Sequence, residues 1–236
     1  MSALIWHQVE CGAYAADLPL WEEMAERAEG PILDLGCGSG RVALHLARHG
    51  HRVTGLDVEA DLVDAFAARG DELAAEALVG DATEFDLAGE FALVLAPMQL
   101  LQLLTAEQRL SCLACVAAHL APGGVAAFAI VESMPGPTDG AAPLPDTREV
   151  DGWVYSSLPV DARVDEDTIR VRRLRQTVSP RGELGEELHE ITLNSLDAAT
   201  LEREGIEAGL APTGRRAIPA TDAHVGSTVV LFRGAA

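Results

Sequence analysis

Three glycines at alternate positions, Gly36, Gly38 and Gly40, follow a short apolar run that carries one acid, Asp34. Glycine reaches positive φ without steric cost and lets a ligand approach main-chain atoms that any Cβ would shield. A nucleotide-type ligand is the expected occupant of such a turn. Two departures disfavour a nicotinamide dinucleotide: a G-x-G-x-x-G turn would put its third glycine where Arg41 stands, and Asp34 would repel a pyrophosphate. Asp57 ends the next apolar run, where a carboxylate can accept from both hydroxyls of a ribose. Asp81, within Gly80-Asp81-Ala82, ends the run after that and can accept from an adenine amino group. Three acids at the ends of three neighbouring strands would converge on one crevice.

The elements that must position these residues are visible as alternation. Runs 31–35, 52–56, 77–79, 91–96 and 125–131 are short and apolar, bounded by Gly, Asp or Pro. Between them, 41–49, 60–69 and 105–120 repeat apolar residues at three- and four-residue spacing. Strands alternating with helices predict an α/β fold whose parallel sheet is covered on both faces. Gly50 and Gly70 fall just past two of the helices, Thr105 precedes the third, and Pro122-Gly123-Gly124 is read as closing it. An earlier helix is expected over 18–28, entered through Asp17 and Pro19. Residues 134–145 hold four prolines and two glycines and predict a loop. Runs 152–158, 168–178 and 184–193 read as antiparallel strands joined by hairpins, and a helix at 197–208 with strands at 211–218 and 227–232 completes the chain. One domain over residues 1–236 is expected, with 149–194 as an antiparallel insertion after the fifth strand.

Seventeen Lys and Arg against thirty-seven Asp and Glu give a formal charge of -20, which repels phosphate backbones and anionic headgroups. Nucleic acid and membrane are therefore poor partners. No apolar run reaches the roughly 20 residues of a bilayer span, and residues 1–10 lack the pattern of a signal peptide, so a cytoplasmic protein is expected. Four cysteines are too sparse for a disulfide framework. Cys112 and Cys115 are spaced as C-x-x-C but lie in mid-helix, which points to packing, and no metal site is expected.

The set D-x-G-x-G-x-G at 34–40, an acid ending the second strand and Gly-Asp-Ala after the third resembles the class I S-adenosylmethionine-dependent methyltransferases. The resemblance implies a Rossmann-like, mostly parallel seven-stranded sheet with an antiparallel last strand and helices on both faces. It implies S-adenosyl-L-methionine as cofactor, lying across the strand ends. Carried onto this chain, Gly36, Cys37, Gly38 and Gly40 line the methionine and ribose, and Asp34 lies near the ammonium. Asp57 with Val58 holds the ribose edge, Asp81 and Ala82 meet adenine, and Ala96 and Met98 flank the site after the fourth strand. Tyr14 sits in a lead-in similar to that of small-molecule members, whose tyrosine closes over the methionine end. No D-P-P-Y or N-P-P-Y follows the fourth strand, which disfavours base amines and glutamine amides as acceptors.

Methyl transfer to a small-molecule nucleophile, O or N before C, is the function this resemblance implies, with the insertion as a lid. The alternative is an S-adenosylmethionine-binding protein with a different reaction or none. Gln99, Tyr155 and His224 are the substrate-side candidates; Tyr155 and His224 are also the candidate bases, ahead of His189 and Glu190. Arg170, Arg172, Arg173 and Arg175 either clamp an anionic substrate group or pair with nearby glutamates. A homodimer is a further expectation.

Overall fold

The structure is a computed structural model that describes residues 3–134, 144–221 and 224–234. Most of the predicted loop at 134–145 lies outside the described residues. Helices α1 (Ala3–Cys11) and α2 (Leu18–Glu26) precede β1 (Ile32–Leu35), α3 (Arg41–Arg48), β2 (Val53–Asp57), α4 (Ala60–Gly70) and β3 (Ala75–Val79). Then follow β4 (Phe91–Ala96), the short α5 (Leu100–Leu103), α6 (Ala106–His119) and β5 (Leu120–Ile130). An inserted unit comprises β6 (Asp146–Val150), β7 (Trp153–Val164), β8 (Thr168–Val178) and β9 (Leu184–Asn194). Helix α7 (Ala198–Glu207) and strands β10 (Leu210–Ile218) and β11 (Ser227–Gly234) return to the main sheet.

That sheet has the order β10-β11-β5-β4-β1-β2-β3, with β11 antiparallel to both neighbours and β1 to β5 mutually parallel. Side chains alternate across a strand, so successive residues serve two cores. Ile32 packs with Trp21, Leu44, Leu46 and Phe66 on one face, while Leu33 and Leu35 pack with Leu113, Val116, Leu201 and Phe232 on the other. This division explains why the central strands read as continuous apolar runs.

Three sequence expectations need correction. Residues 3–11 form α1, an element the sequence reading did not contain. Pro122, Gly123 and Gly124 lie inside β5 rather than in a helix stop; α6 has ended at His119, and the β4–β5 pairing shifts register between Phe91 and Leu93. Gly124 is needed there because a Cβ would lie 2.9 Å from the Phe91 carbonyl oxygen. The insertion has four strands instead of three and starts at Asp146, because the half-exposed, charged β6 has no apolar alternation to betray it.

Asp17, expected as a helix cap, has a different task. Its side chain is fully buried, makes no capping bond, and takes both Arg41 guanidinium nitrogens at 2.7 Å and the Trp21 indole N–H at 2.9 Å. Removing one partner of a buried, hydrogen-bonded ion pair strands the other charge. Asp17→Ala should therefore cost about 3–5 kcal/mol in a denaturant melt. A loss below about 1 kcal/mol would show that the pair is not structurally important.

Candidate functional site

After Leu35 the chain turns through Gly36, Gly38 and Gly40 at φ of 65°, 54° and 84°, a region that strains any residue with a Cβ. Asp57, at the end of β2, reaches back to this turn: one carboxylate oxygen accepts from Gly38 N–H at 2.7 Å and the other from Glu59 N–H at 3.0 Å. The acid predicted to hold a ribose thus also braces the turn. A carboxylate has about four acceptor positions, so these bonds leave it able to accept from ligand hydroxyls as well.

Asp34 is 1% exposed. Its Oδ2 accepts from Ala43 N–H at 3.1 Å, and its Oδ1 is buried with no hydrogen-bond partner among the described residues. Burial pushes the carboxyl up to about 7, against the opposing pull of the Arg41 guanidinium and the Ala43 N–H. A cationic group brought against it would satisfy this oxygen. The carboxyl borders a small cavity of about 30 Å³ lined also by His7, Cys11, Gly36, Cys37, Pro97 and Met98. A larger concavity of about 810 Å³ lies at the opposite, N-terminal edge of the strands, among Ala92, Pro122, Gly124 and Arg216, away from these acids.

His7 is the principal residue that sequence reasoning missed. A Cβ on Gly38 would overlap its imidazole, and its Nδ1 lies 3.4 Å from Ser39 Oγ, so α1 lies across the glycine turn. Burial lowers the His7 pKa, against the attraction of Asp57. On the neighbouring stripe of α1, Glu10 receives Arg175 at 2.8 and 2.9 Å and Ser157 at 2.7 Å, and Trp6 stacks under the Arg175 guanidinium at 5.0 Å. One helix therefore joins the glycine turn to the inserted sheet. The spacing 6, 7, 10, 11 is a helical signal, but its polar and apolar residues mix too evenly to show an amphipathic face.

Tyr14 and His224 are brought together, with rings 4.6 Å apart, and the Arg41 guanidinium stands 5.1 Å from the Tyr14 ring. Tyr155 packs edge-on against Trp6 at 5.7 Å and stacks near Trp153, joining the cluster that seats α1 on the insertion. Val58 projects from the end of β2 at 66% exposure. Asp81 is exposed at the end of β3, where one oxygen accepts from Thr83 N–H and Oγ–H, with Ala82 half-buried beside it. Ala96 is buried at the end of β4, and Gln99 heads α5 without a side-chain cap bond.

Gln102, three residues on, is fully buried and donates to the Val131 and Asn194 carbonyls while accepting from Val131 N–H. It pins the end of β5 and the exit of the insertion to α5. The arginines of β8 are engaged: Arg170 with Asp165, Arg172 with Asp161, Arg173 with Asp146 and Ser157, and Arg175 with Glu10. They are structural pairs, formed chiefly with aspartates and α1 rather than with the glutamates of β9, of which Glu187 lies 3.9 Å from Arg175.

Residues 32–124 match the model of a methyltransferase domain family. No curated protein matches the sequence. Among solved structures, the chain is similar to an amino pentose methyltransferase from Micromonospora echinaspora involved in calicheamicin biosynthesis, solved with S-adenosylmethionine bound. The two are 19% identical over 99% of this chain and 98% of that one, with a TM-score of 0.73. It is similar to a sugar N-methyltransferase from Streptoalloteichus at 18% identity, 99% and 93% coverage and a TM-score of 0.73. A third is the CcbJ methyltransferase from Streptomyces caelestis, at 22% identity, 94% and 89% coverage and a TM-score of 0.68. The chain shares the fold of these structures, one of them solved with S-adenosylmethionine, and the matched segment carries the glycine turn and the acids that follow β1, β2 and β3. The residues present fit that cofactor: glycines with no Cβ, a carboxylate at the end of β2, and an unsatisfied buried acid for a cation.

The raised Asp34 pKa has a pH consequence. Its folded value of about 7 lies above the ordinary 3.8, so its stabilising contribution is complete below about 4 and is lost as pH rises through about 7. Asp34→Asn, which cannot ionise, should melt higher than the parent above pH 7 without cofactor, and the gap should close towards about pH 4. Thermal melts across that range test this; a gap independent of pH would contradict it.

Proposed function

We propose that this protein transfers a methyl group from S-adenosylmethionine to an amine nitrogen of a small molecule. The observation that carries the reading is the cradle at the ends of β1 and β2, where Asp34 Oδ1 waits for a cation beside glycines and the Asp57 carboxylate. When bound, the cofactor supplies a methyl on a sulfonium, open to in-line attack by a lone pair. In this reading Asp34 takes the ammonium, Gly36, Cys37, Gly38 and Gly40 the chain and ribose, and Asp57 the ribose hydroxyls. Val58, Asp81 and Ala82 border adenine, and Ala96 and Met98 the methionine end. Tyr14 closes over that end, with Gln99, Tyr155 and His224 facing the acceptor. Either Tyr155 or His224 can take the proton that an amine must lose.

Nitrogen is supported by the acceptors named for similar structures, an amino pentose, a sugar N-methyltransferase and a glycopeptide N-methyltransferase. A formal charge of -20 disfavours nucleic acid. The four free cysteines favour a reducing, cytoplasmic setting. Among the described residues no helix is long and apolar enough to cross a membrane.

The cavity beside Asp34 measures about 30 Å³, below the roughly 300 Å³ of a ligand pocket, and the His7 side chain of α1 lies across the glycine turn, so a ligand must displace it. The Glu10 pairs join that helix to the inserted sheet. The sheet's other face carries Val154, Leu158, Leu174, Val178, Leu184 and Leu188, an apolar row that fits a second copy of the chain. A monomer mass by light scattering at micromolar concentration would discard that homodimer.

Purified protein incubated with S-adenosylmethionine and a panel of amino sugars should yield a product heavier by one methylene, by mass spectrometry. Asp57→Asn should bind S-adenosylhomocysteine about ten-fold or more weakly by calorimetry. Unchanged affinity would remove Asp57 from the cofactor site. Adenosyl-ligand binding with no product from amines or hydroxyls would favour a binding protein without methyl transfer.

A further inference from the structure

Glu22 on α2, His45 in the last turn of α3 and His49, the residue that caps its C-terminus, form a cluster outside the cofactor cradle. Residues 45 and 49 are four apart, so their side chains meet on one side of the helix end. Their rings lie 4.5 Å apart, His45 Nε2 is 3.3 Å from one Glu22 oxygen, and His49 Nε2 is 3.4 Å from the other. One ligand atom from each of the three lies within 4.8 Å of the others.

A hydrogen bond at the edge of this group sets its chemistry. His49 Nδ1 lies 2.8 Å from the His45 carbonyl oxygen. A carbonyl can only accept, so Nδ1 carries the hydrogen, and in a neutral ring Nε2 then presents its lone pair. His49 Nε2 stands 3.4 Å from a carboxylate oxygen, one acceptor beside another, an arrangement that a positive centre between them would relieve. A backbone carbonyl holding the second ring nitrogen is also the outer-shell arrangement that orients a metal-binding histidine.

We propose that Glu22, His45 and His49 bind a divalent transition-metal ion, zinc before others. Zinc bonds of about 2.0–2.2 Å to nitrogen and oxygen place tetrahedral ligands about 3.3–3.6 Å apart; each imidazole already stands at that separation from the carboxylate oxygen nearest it, and small side-chain rotations would bring the three ligand atoms, now within 4.8 Å of one another, to one centre. Two imidazoles and one carboxylate suit zinc, copper or nickel, whereas magnesium and calcium take oxygen donors. The side chains of Glu22, His45 and His49 are 34%, 24% and 45% exposed, which leaves a path for the ion and room for water in the remaining position. Bound metal would tie α2 to α3, the helix that starts at the glycine turn.

The competing centre is a proton, with His49 as an imidazolium bonded to Glu22. Chelator-stripped, tag-free protein at about pH 7.5 should bind one equivalent of Zn²⁺ by calorimetry and melt higher with it, with no such shift from Mg²⁺. Glu22→Gln and His49→Ala should each lower zinc affinity about ten-fold or more, while S-adenosylhomocysteine binding stays unchanged. Co²⁺ should give the visible absorption of a tetrahedral site in the parent and lose it in both variants. Absence of saturable Zn²⁺ binding, or equal affinity in parent and variants, would overturn the proposal.

Discussion

The cofactor edge of this protein depends on one buried cation. Arg41 is the first residue of α3, and its guanidinium holds Asp17 with both terminal nitrogens, donates to the Tyr14 carbonyl and stands against the Tyr14 ring. Asp17 in turn holds Trp21, the largest fully buried side chain of the core behind β1. The negative charges of Asp17 and Asp57 both press on Asp34, and Arg41 opposes them. In a dinucleotide turn this position would be glycine; here a glycine would leave Asp17 and Asp34 without their cation. The departure from that pattern in the sequence is thus a requirement of the acidic cradle, because a zwitterionic ligand is met by carboxylates where a pyrophosphate would need bare N–H groups.

Around this edge the protein is layered by a single helix. Helix α1 places His7 on the glycine turn and Trp6 and Glu10 against the inserted sheet. The insertion is joined to α1 through Glu10 and Trp6, and α1 to the glycine turn through His7. Gln102 fixes the other end, joining α5, the end of β5 and the exit of β9 through bonds to main-chain atoms. Such bonds are insensitive to side-chain identity in their partners, which is why no motif advertises them.

The legible parts of the fold were those where local physics and tertiary context agree. The central strands are buried on both faces, so their apolar runs are unbroken, and α3, α4 and α6 have periodic apolar faces with glycine or threonine at their ends. Helix α1 and strand β6 were illegible because they are held by ion pairs and aromatic edges instead of a continuous apolar face. The Pro-Gly-Gly segment misled because proline and glycine serve a bulge as well as a helix stop.

By itself the sequence determined the alternating α/β order, the glycine turn with its three strand-end acids and the antiparallel insertion. Each is written in neighbouring residues: spacing sets the period, and glycine sets the backbone. Only the tertiary structure decided that Asp34 is sealed with one oxygen unsatisfied, that Asp57 braces Gly38, that the β8 arginines are engaged by α1 and nearby aspartates, and that Glu22 meets His45 and His49. Those facts join residues far apart in the chain. Burial and distance come from packing, and a linear pattern carries neither.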